Sequence, residues 1–188
     1  MVIPLIESIF KLKMLPRHGW LEHDVPRARV ESVASHSYGT AILLVILDLL
    51  DLIPPHLSLE KLLKIALLHD LAESETGDVT PRSGVTPEEK SQAERDAFSR
   101  IFHGDSRFNI LNEMGSLFAG LDEPGPPCNR KPDEYQFFKQ VDKLDMMIQA
   151  IMYEREFDMN LKEFHEPVEK YLHGDALKRF FKEIKENL

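Results

Sequence analysis

The sequence predicts an all-α fold in one domain, and three observations carry that expectation. Apolar residues recur at helical spacing along most of the chain, from Ile6, Ile9 and Phe10 to Leu177, Phe180, Phe181 and Ile184. Residues that start and stop helices punctuate these runs. No stretch reads as a strand. With 188 residues, 43% hydrophobic and 29% charged, the chain is long enough for a substantial core.

Taken in order, the elements are these. Ile3 to Lys13 predicts a short amphipathic helix with Ile6, Ile9, Phe10 and Met14 on its apolar side. Residues 15–29 are irregular, broken by Pro16, Gly19 and Pro26. A helix starts near Ser32 and runs to about Ile53, where Pro54-Pro55 stops it. Ser58 is placed to cap the next helix, which carries Leu62, Leu63, Ile65, Leu67, Leu68 and Leu71. Apolar residues on every face mark it as central. Gly77 to Val85 is a loop. Thr86-Pro87-Glu88-Glu89 has the form of a capping box, and its helix runs to about His103, with Gly104 as C-cap. A short helix follows over 108–118, then a Pro/Gly-rich break at 120–132, read as an excursion or lid. Tyr135 to Tyr153 is helical, with Phe138, Val141, Leu144, Met147, Ile148 and Ile151 as its apolar face. Gly174-Asp175 caps the last helix.

The bulk numbers exclude several classes of function. A single cysteine rules out a disulfide framework and a Cys-rich zinc site, and fits a reducing cytoplasm. The longest apolar run, Ala41 to Leu47, is too short to span a bilayer, and MVIPLIESIFKLK is a poor signal peptide. No membrane partner is expected. A net charge of -9 argues against a nucleic-acid polymer as partner. A small phosphorylated substrate stays open, because a bound metal inverts the local field.

The stretch IALLHDLAESETGD, Ile65 to Asp78, stands out. An apolar helix ends in His69-Asp70, and a buried carboxylate without a partner is very costly. The other His-Asp pair, His23-Asp24, lies among charged residues and reads as a solvated loop. Glu73 is i+4 from His69 and i+3 from Asp70, so it shares their side of a helix. A carboxylate there can orient or deprotonate a water beside an ion. Asp78 follows Gly77, which permits a sharp turn back. Two more polar residues sit inside apolar helices, His36 before AILLVIL and Asp142 in FFKQVDKLDMMIQAIMYE. Two imidazoles and two carboxylates suit Mn, Co, Ni, Fe or Zn better than Mg.

The order His36, then His69-Asp70, then Asp142 resembles the metal-binding pattern of the HD-domain phosphohydrolases. LPRHGWLEHDVPRARVESVASHS, HDLAESETGDVTP with the following PEEK, and FFKQVDKLDMMIQAIMYE together resemble the 5′-deoxynucleotidase-like branch, over roughly residues 5–155. The resemblance implies a single HD-domain helical bundle over 1–188, with 156–188 packing on that core or on a partner subunit. It implies His36, His69, Asp70 and Asp142 as ligands of one divalent metal ion. It implies Glu73 and Asp78 as the catalytic acids around the attacking water and the leaving oxygen. It implies Arg17 and Trp20 as substrate contacts, a fork for phosphate oxygens and a flat face for base or sugar. The expected activity is hydrolysis of (deoxy)nucleoside 5′-monophosphates, in a cytoplasmic homodimer. Hydrolysis of nucleoside triphosphates is the alternative, weakened by the lack of a clear basic cluster; a non-catalytic nucleotide-binding module is another. Asp145 reads as solvated or ion-paired, and Cys128 has no local base to activate it.

Overall fold

A computed structural model describes residues 3–102, 133–165, 168 and 171–188. The helix expected over 108–118, the cap at Gly104, the 120–132 break, His103 and Cys128 lie outside these residues. The described helices are α1 (Ile3–Leu12), α2 (His18–Leu21), α3 (Val33–Leu49), α4 (Leu59–Leu68), α5 (Glu73–Thr76), α6 (Pro87–Ile101), α7 (Asp133–Phe157) and α8 (Asp175–Asn187). No strand occurs among the described residues, only an isolated antiparallel bridge between Pro16 and Ser32. The fold is all-α.

Local chemistry places the helix ends. The Ser32 hydroxyl accepts from Ser35 N–H at 3.1 Å, and the Ser58 hydroxyl from Lys61 N–H at 3.4 Å. Thr86 and Glu89 bond each other's backbone N–H, closing the capping box. α3 ends before its prolines. Asp51 takes a left-handed φ of 55°, Asp51 N–H donates to Asp48 O, and Leu52 N–H donates to Leu47 O. That is a Schellman ending with aspartate at the left-handed position. At Gly174 the backbone φ is 88° and no side chain caps α8; Asp175 instead puts its charge in the first turn.

α3, α4 and α7 pack against one another, and their facing residues form the main core. Leu44, Leu47, Leu62, Ile65, Val141, Leu144 and Met147 are fully buried there, each stabilising by roughly 1.5–3 kcal/mol for a large side chain. Leu177 and Phe181 of α8 enter the same core. A second cluster joins Leu12, Val33, Leu71, Ile101 and Phe102. A third gathers Trp20, Val25, Ala150, Tyr153 and Leu161 around the C-terminal half of α7.

Two expectations fail. α4 is not apolar-buried on all sides, since Leu67 is 52% exposed. α1 does not bury its apolar stripe: Ile6, Phe10 and Met14 face solvent while Leu12 packs inward. The α3 residues Tyr38, Ile42 and Ile46 are exposed as well.

Candidate metal centre

The irregular segment before α3 is positioned by backbone bonds. Arg17 N–H donates to Glu31 O at 3.0 Å, and Val33 N–H donates to Leu15 O at 2.9 Å. These tie residues 15–17 beside the start of α3 and set Arg17 at the edge of a cavity. On the far side, α4 runs out at Leu68, short of the expected Leu71, and the chain winds more tightly. Leu71 N–H donates to Leu68 O, Glu73 N–H to Asp70 O and Ser74 N–H to Leu71 O, at 3.0–3.2 Å. In such a three-residue turn, side chains at i and i+3 eclipse. Asp70 and Glu73 therefore line the same cavity, which Asp78 also enters.

His69 is held by its own helix. Its ring Nδ1 donates to Ala66 O at 2.9 Å, since a carbonyl can only accept. In the neutral ring that leaves Nε2 as the lone-pair nitrogen. It is buried and makes no hydrogen bond among the described residues. Asp70 Oδ2 lies 3.1 Å away without hydrogen-bond geometry, and Asp142 Oδ1 lies at 3.8 Å. His36, from the first turns of α3, is 1% exposed. Its Nε2 contacts Asp142 Oδ1 at 3.0 Å and its Nδ1 contacts Asp145 Oδ2 at 2.7 Å. One ligand atom from each of His36, His69 and Asp142 fits within 4.8 Å of the others. Asp70 Oδ2 stands 3.9 Å from His36 Nε2 and is also bonded by Arg17 Nη1 at 3.4 Å.

The charges divide sharply. Burial opposes ionisation of Asp142, yet Lys139 Nζ at 2.7 Å, His36 and Lys143 hold its carboxyl well below the usual range. Asp70 is held low in the same way, against burial, by His69, Arg17 and His36. Burial and Arg17 disfavour a charge on His36, but hydrogen bonds to Asp142 and Asp145 outweigh them and raise its pKa to about 10. Glu73 goes the other way. Burial first, then Asp70 and Asp78, push its pKa up to about 9. It is 4% exposed, Oε1 lies 3.9 Å from Lys90 Nζ, and Oε2 is buried with no hydrogen-bond partner among the described residues. An ion-sized gathering of nitrogen and carboxylate oxygen around an unpartnered imidazole lone pair fits a divalent cation.

The cavity measures about 520 Å³. Its acidic wall carries Asp70, Glu73, Asp78 and Asp142, and Arg17, Arg82, Lys90, Lys139 and Lys143 also line it. The basic cluster that no run of sequence displays is thus assembled by the fold from four segments. Asp78 Oδ1 lies 3.8 Å from Arg17 Nη1, and its Oδ2 accepts from His18 N–H, so this carboxylate braces Arg17. Trp20 lines the cavity but is 2% exposed, edge-on to Tyr153 and tilted against Phe164 at 4.5 Å. Its indole N–H donates to Glu31 at 2.8 Å.

One residue departs from the sequence expectations, and two others gain partners the sequence does not name. His23 is not solvated: its Nδ1 contacts Gly19 O at 2.7 Å, its Nε2 pairs with Glu163, and its ring packs edge-on to Phe164. Asp145, expected to be solvated or ion-paired, is paired, and its partner is His36. Glu31, unremarked in the sequence, is the acceptor for Trp20, and burial raises its pKa. Nothing local flags it, because its partner lies eleven residues back across a loop.

The HD-domain family matches residues 9–184. Among characterised relatives, the chain is 34% identical over 160 residues to the 5′-deoxynucleotidase hdd1 of Schizosaccharomyces pombe, covering 84% of this chain and 74% of that protein. It is 34% identical over 178 residues to the 5′-deoxynucleotidase HDDC2 of Dictyostelium discoideum, covering 86% and 89%. Among solved structures, the PH0347 protein of Pyrococcus horikoshii superposes with a TM-score of 0.74 at 30% identity, covering 98% of both chains. A conserved hypothetical protein of Pyrococcus furiosus gives 0.73 at 32% identity, covering 98% and 99%. HD domains bind divalent metal ions, and a His/Asp cluster suited to one lies in the cavity. With the His-Asp pair at the end of α4, the match along nearly the whole chain and the shared fold all in agreement, the chain belongs to the HD-domain family.

Proposed function

We propose that this protein hydrolyses nucleoside 5′-monophosphates, with preference for deoxyribose, releasing nucleoside and orthophosphate. One observation carries the reading. Nε2 of His69, without a hydrogen bond among the described residues, meets His36 and Asp142 at the edge of a cavity lined by His69, Asp142, Arg17 and Glu73, whose Oε2 likewise lacks a hydrogen bond among them. Hydrolysis of a phosphomonoester at a metal needs these parts, and the names of the relatives supply the substrate class.

His36, His69, Asp70 and Asp142 are the proposed ligands of one divalent ion, Mn, Co, Ni, Fe or Zn in preference to Mg. Such an ion, when bound, lowers the pKa of a water and draws charge from a phosphoryl oxygen. The chain's own residues do the rest. Arg17, gripped by Asp70 and Asp78, presents its guanidinium to the remaining phosphate oxygens. Glu73 handles the proton at Oε2, a buried oxygen with no hydrogen-bond partner among the described residues. Asp78 keeps Arg17 in place and is the second acid beside the leaving oxygen. Trp20, backed by Tyr153 and Phe164, forms the wall for the nucleoside.

The five cations of the cavity favour a second reading, hydrolysis of nucleoside triphosphates. Each is already opposed by a carboxylate, however: Arg17 by Asp70, Arg82 by Glu163, Lys90 by Glu73, and Lys139 and Lys143 by Asp142. That balance suits one phosphate better than three. The exposed apolar residues of α1 and α3 give a homodimer its surface. The deciding assay incubates the purified chain with Mn, Co, Ni, Zn or Mg and a panel of nucleoside mono-, di- and triphosphates. Orthophosphate from monophosphates is expected. Pyrophosphate or triphosphate as product selects the second reading, and no phosphate release from any monophosphate removes the first.

A further inference from the structure

We infer that Asp145 is a positioning residue that orients His36 for metal binding, and that Gly39 is the space this requires. The inference rests on the metal-site reading above. It adds two residues to which the sequence assigns no part in the site.

Asp142 and Asp145 stand three apart on α7, and each takes one nitrogen of the same buried imidazole. Asp142 Oδ1 meets Nε2 at 3.0 Å, and Asp145 Oδ2 meets Nδ1 at 2.7 Å. An ionised carboxylate can only accept. Facing Asp145, Nδ1 must therefore carry a proton; Nε2, on the side of Asp142 and His69, is the nitrogen that can give its lone pair once a cation takes the place of the proton it shares with Asp142. Such a contact also fixes the ring plane and makes the ligating nitrogen more basic. His69 obtains the same orientation from the Ala66 carbonyl of its own helix. His36 has no equivalent on α3: among the described residues the partner at its Nδ1 comes from 109 residues away.

Gly39 makes the approach of α7 possible. It lies one turn after His36 in the interior of α3, where glycine weakens a helix relative to alanine. A Cβ built there would sit 2.3 Å from Asp145 Oδ1 and 3.2 Å from its Cγ. No real Cβ tolerates the first distance. The aspartate has a short side chain on a rigid helix, so the carboxylate itself would be driven off His36. Gly39 is thus explained by what it lets in, with no demand from backbone conformation.

The test uses Co(II) as probe, titrated into metal-free full-length protein and followed by its visible absorption, alongside thermal unfolding of the metal-free forms. His36→Ala reports on the underlying metal-site reading and is expected to abolish tight binding. Asp145→Asn should stay folded yet bind Co(II) about 10- to 100-fold more weakly, with an altered absorption band. Gly39→Ala should weaken binding similarly in the wild-type background. Added to Asp145→Ala, it should change affinity by less than about twofold, because the displaced group is already gone. Wild-type affinity and band in Asp145→Asn and Asp145→Ala, with binding lost in His36→Ala, would overturn the inference while leaving the metal site standing. Full binding by His36→Ala would instead remove the metal-site reading and the inference with it. Equal losses from Gly39→Ala with and without Asp145 would show that glycine acts on the helix alone, and would overturn its assigned role.

Discussion

His36 and His69 stand 5.5 Å apart, ring centre to ring centre, and are held in opposite ways. His69 takes its orientation from a carbonyl three residues back and keeps one nitrogen without a hydrogen bond among the described residues. His36 is clasped at both nitrogens by carboxylates of a distant helix. Within a few ångströms, one imidazole is a local product of its helix and the other exists in its orientation only after α3 and α7 have packed. The first is poised to accept a cation. The second pairs with buried Asp142 and half-buried Asp145. The centre therefore combines a prefabricated half with a half that reports on tertiary structure.

The largest effects should come from removing either imidazole, and they should differ in kind. His36→Ala and His69→Ala should each lose bound metal and cost at least about a thousandfold in kcat/KM, as several kcal/mol of charge stabilisation vanish. In metal-free protein His36→Ala should also destabilise the fold, by about 3 kcal/mol and by more than His69→Ala, because it takes a partner from Asp145 and one of the cations that face buried Asp142. Urea unfolding of the two metal-free variants checks this, and equal stabilities would erase the contrast. Next in size is Glu73→Gln, expected to lower kcat by about 10²–10⁴ while metal content measured by elemental analysis stays at the wild-type level. Loss of metal in that variant would move Glu73 from proton handling to ligation.

A smaller, pH-dependent effect belongs to the same residue. Glu73 has a folded pKa near 9 against an ordinary value of 4.5. Between those values the folded, metal-free chain binds the extra proton, so Glu73 costs stability progressively as pH rises through that window. Glu73→Gln removes the penalty. Its stability advantage over wild type should grow from pH 5 to pH 9 in denaturant titrations, and a constant difference would contradict the raised pKa. Smallest among the substitutions is Trp20→Phe, which forfeits the bond to Glu31 and should cost about 1–2 kcal/mol of stability, with activity changed by less than about tenfold.

The two imidazoles also mark where sequence reading succeeds. Caps at Ser32, Ser58 and Thr86 are legible because donor and acceptor lie three residues apart. The apolar face of α7 is legible because its period is local, and the structure extends that helix from the expected 135–153 to Asp133–Phe157. The likeness to HD-domain enzymes, and the gathering of His36, His69 and Asp142, came from matching motifs; periodicity alone does not place them together. What stayed hidden is what packing decides. Asp145 looks like any polar helix residue until α3 arrives. Arg17, Lys90 and Lys139 form no run, so the cavity's positive charge exists only in three dimensions. The solvent-facing stripe of α1 has a core-like period, and its sequence says nothing of which side the bundle occupies.

The cavity's cations sit in a chain whose net charge is -9, and this shapes how fast a phosphate dianion can arrive. At 0.01 M salt the field of the whole surface reaches about 30 Å and repels such an anion before it meets Arg17 or Lys139. At about 0.1 M that reach shrinks to about 10 Å, and the long-range barrier fades while contacts inside the cavity persist. Inert salt should therefore raise the capture rate modestly between these limits. Encounter would be slowest in the dilute buffers where attraction at the bottom of the cavity is strongest.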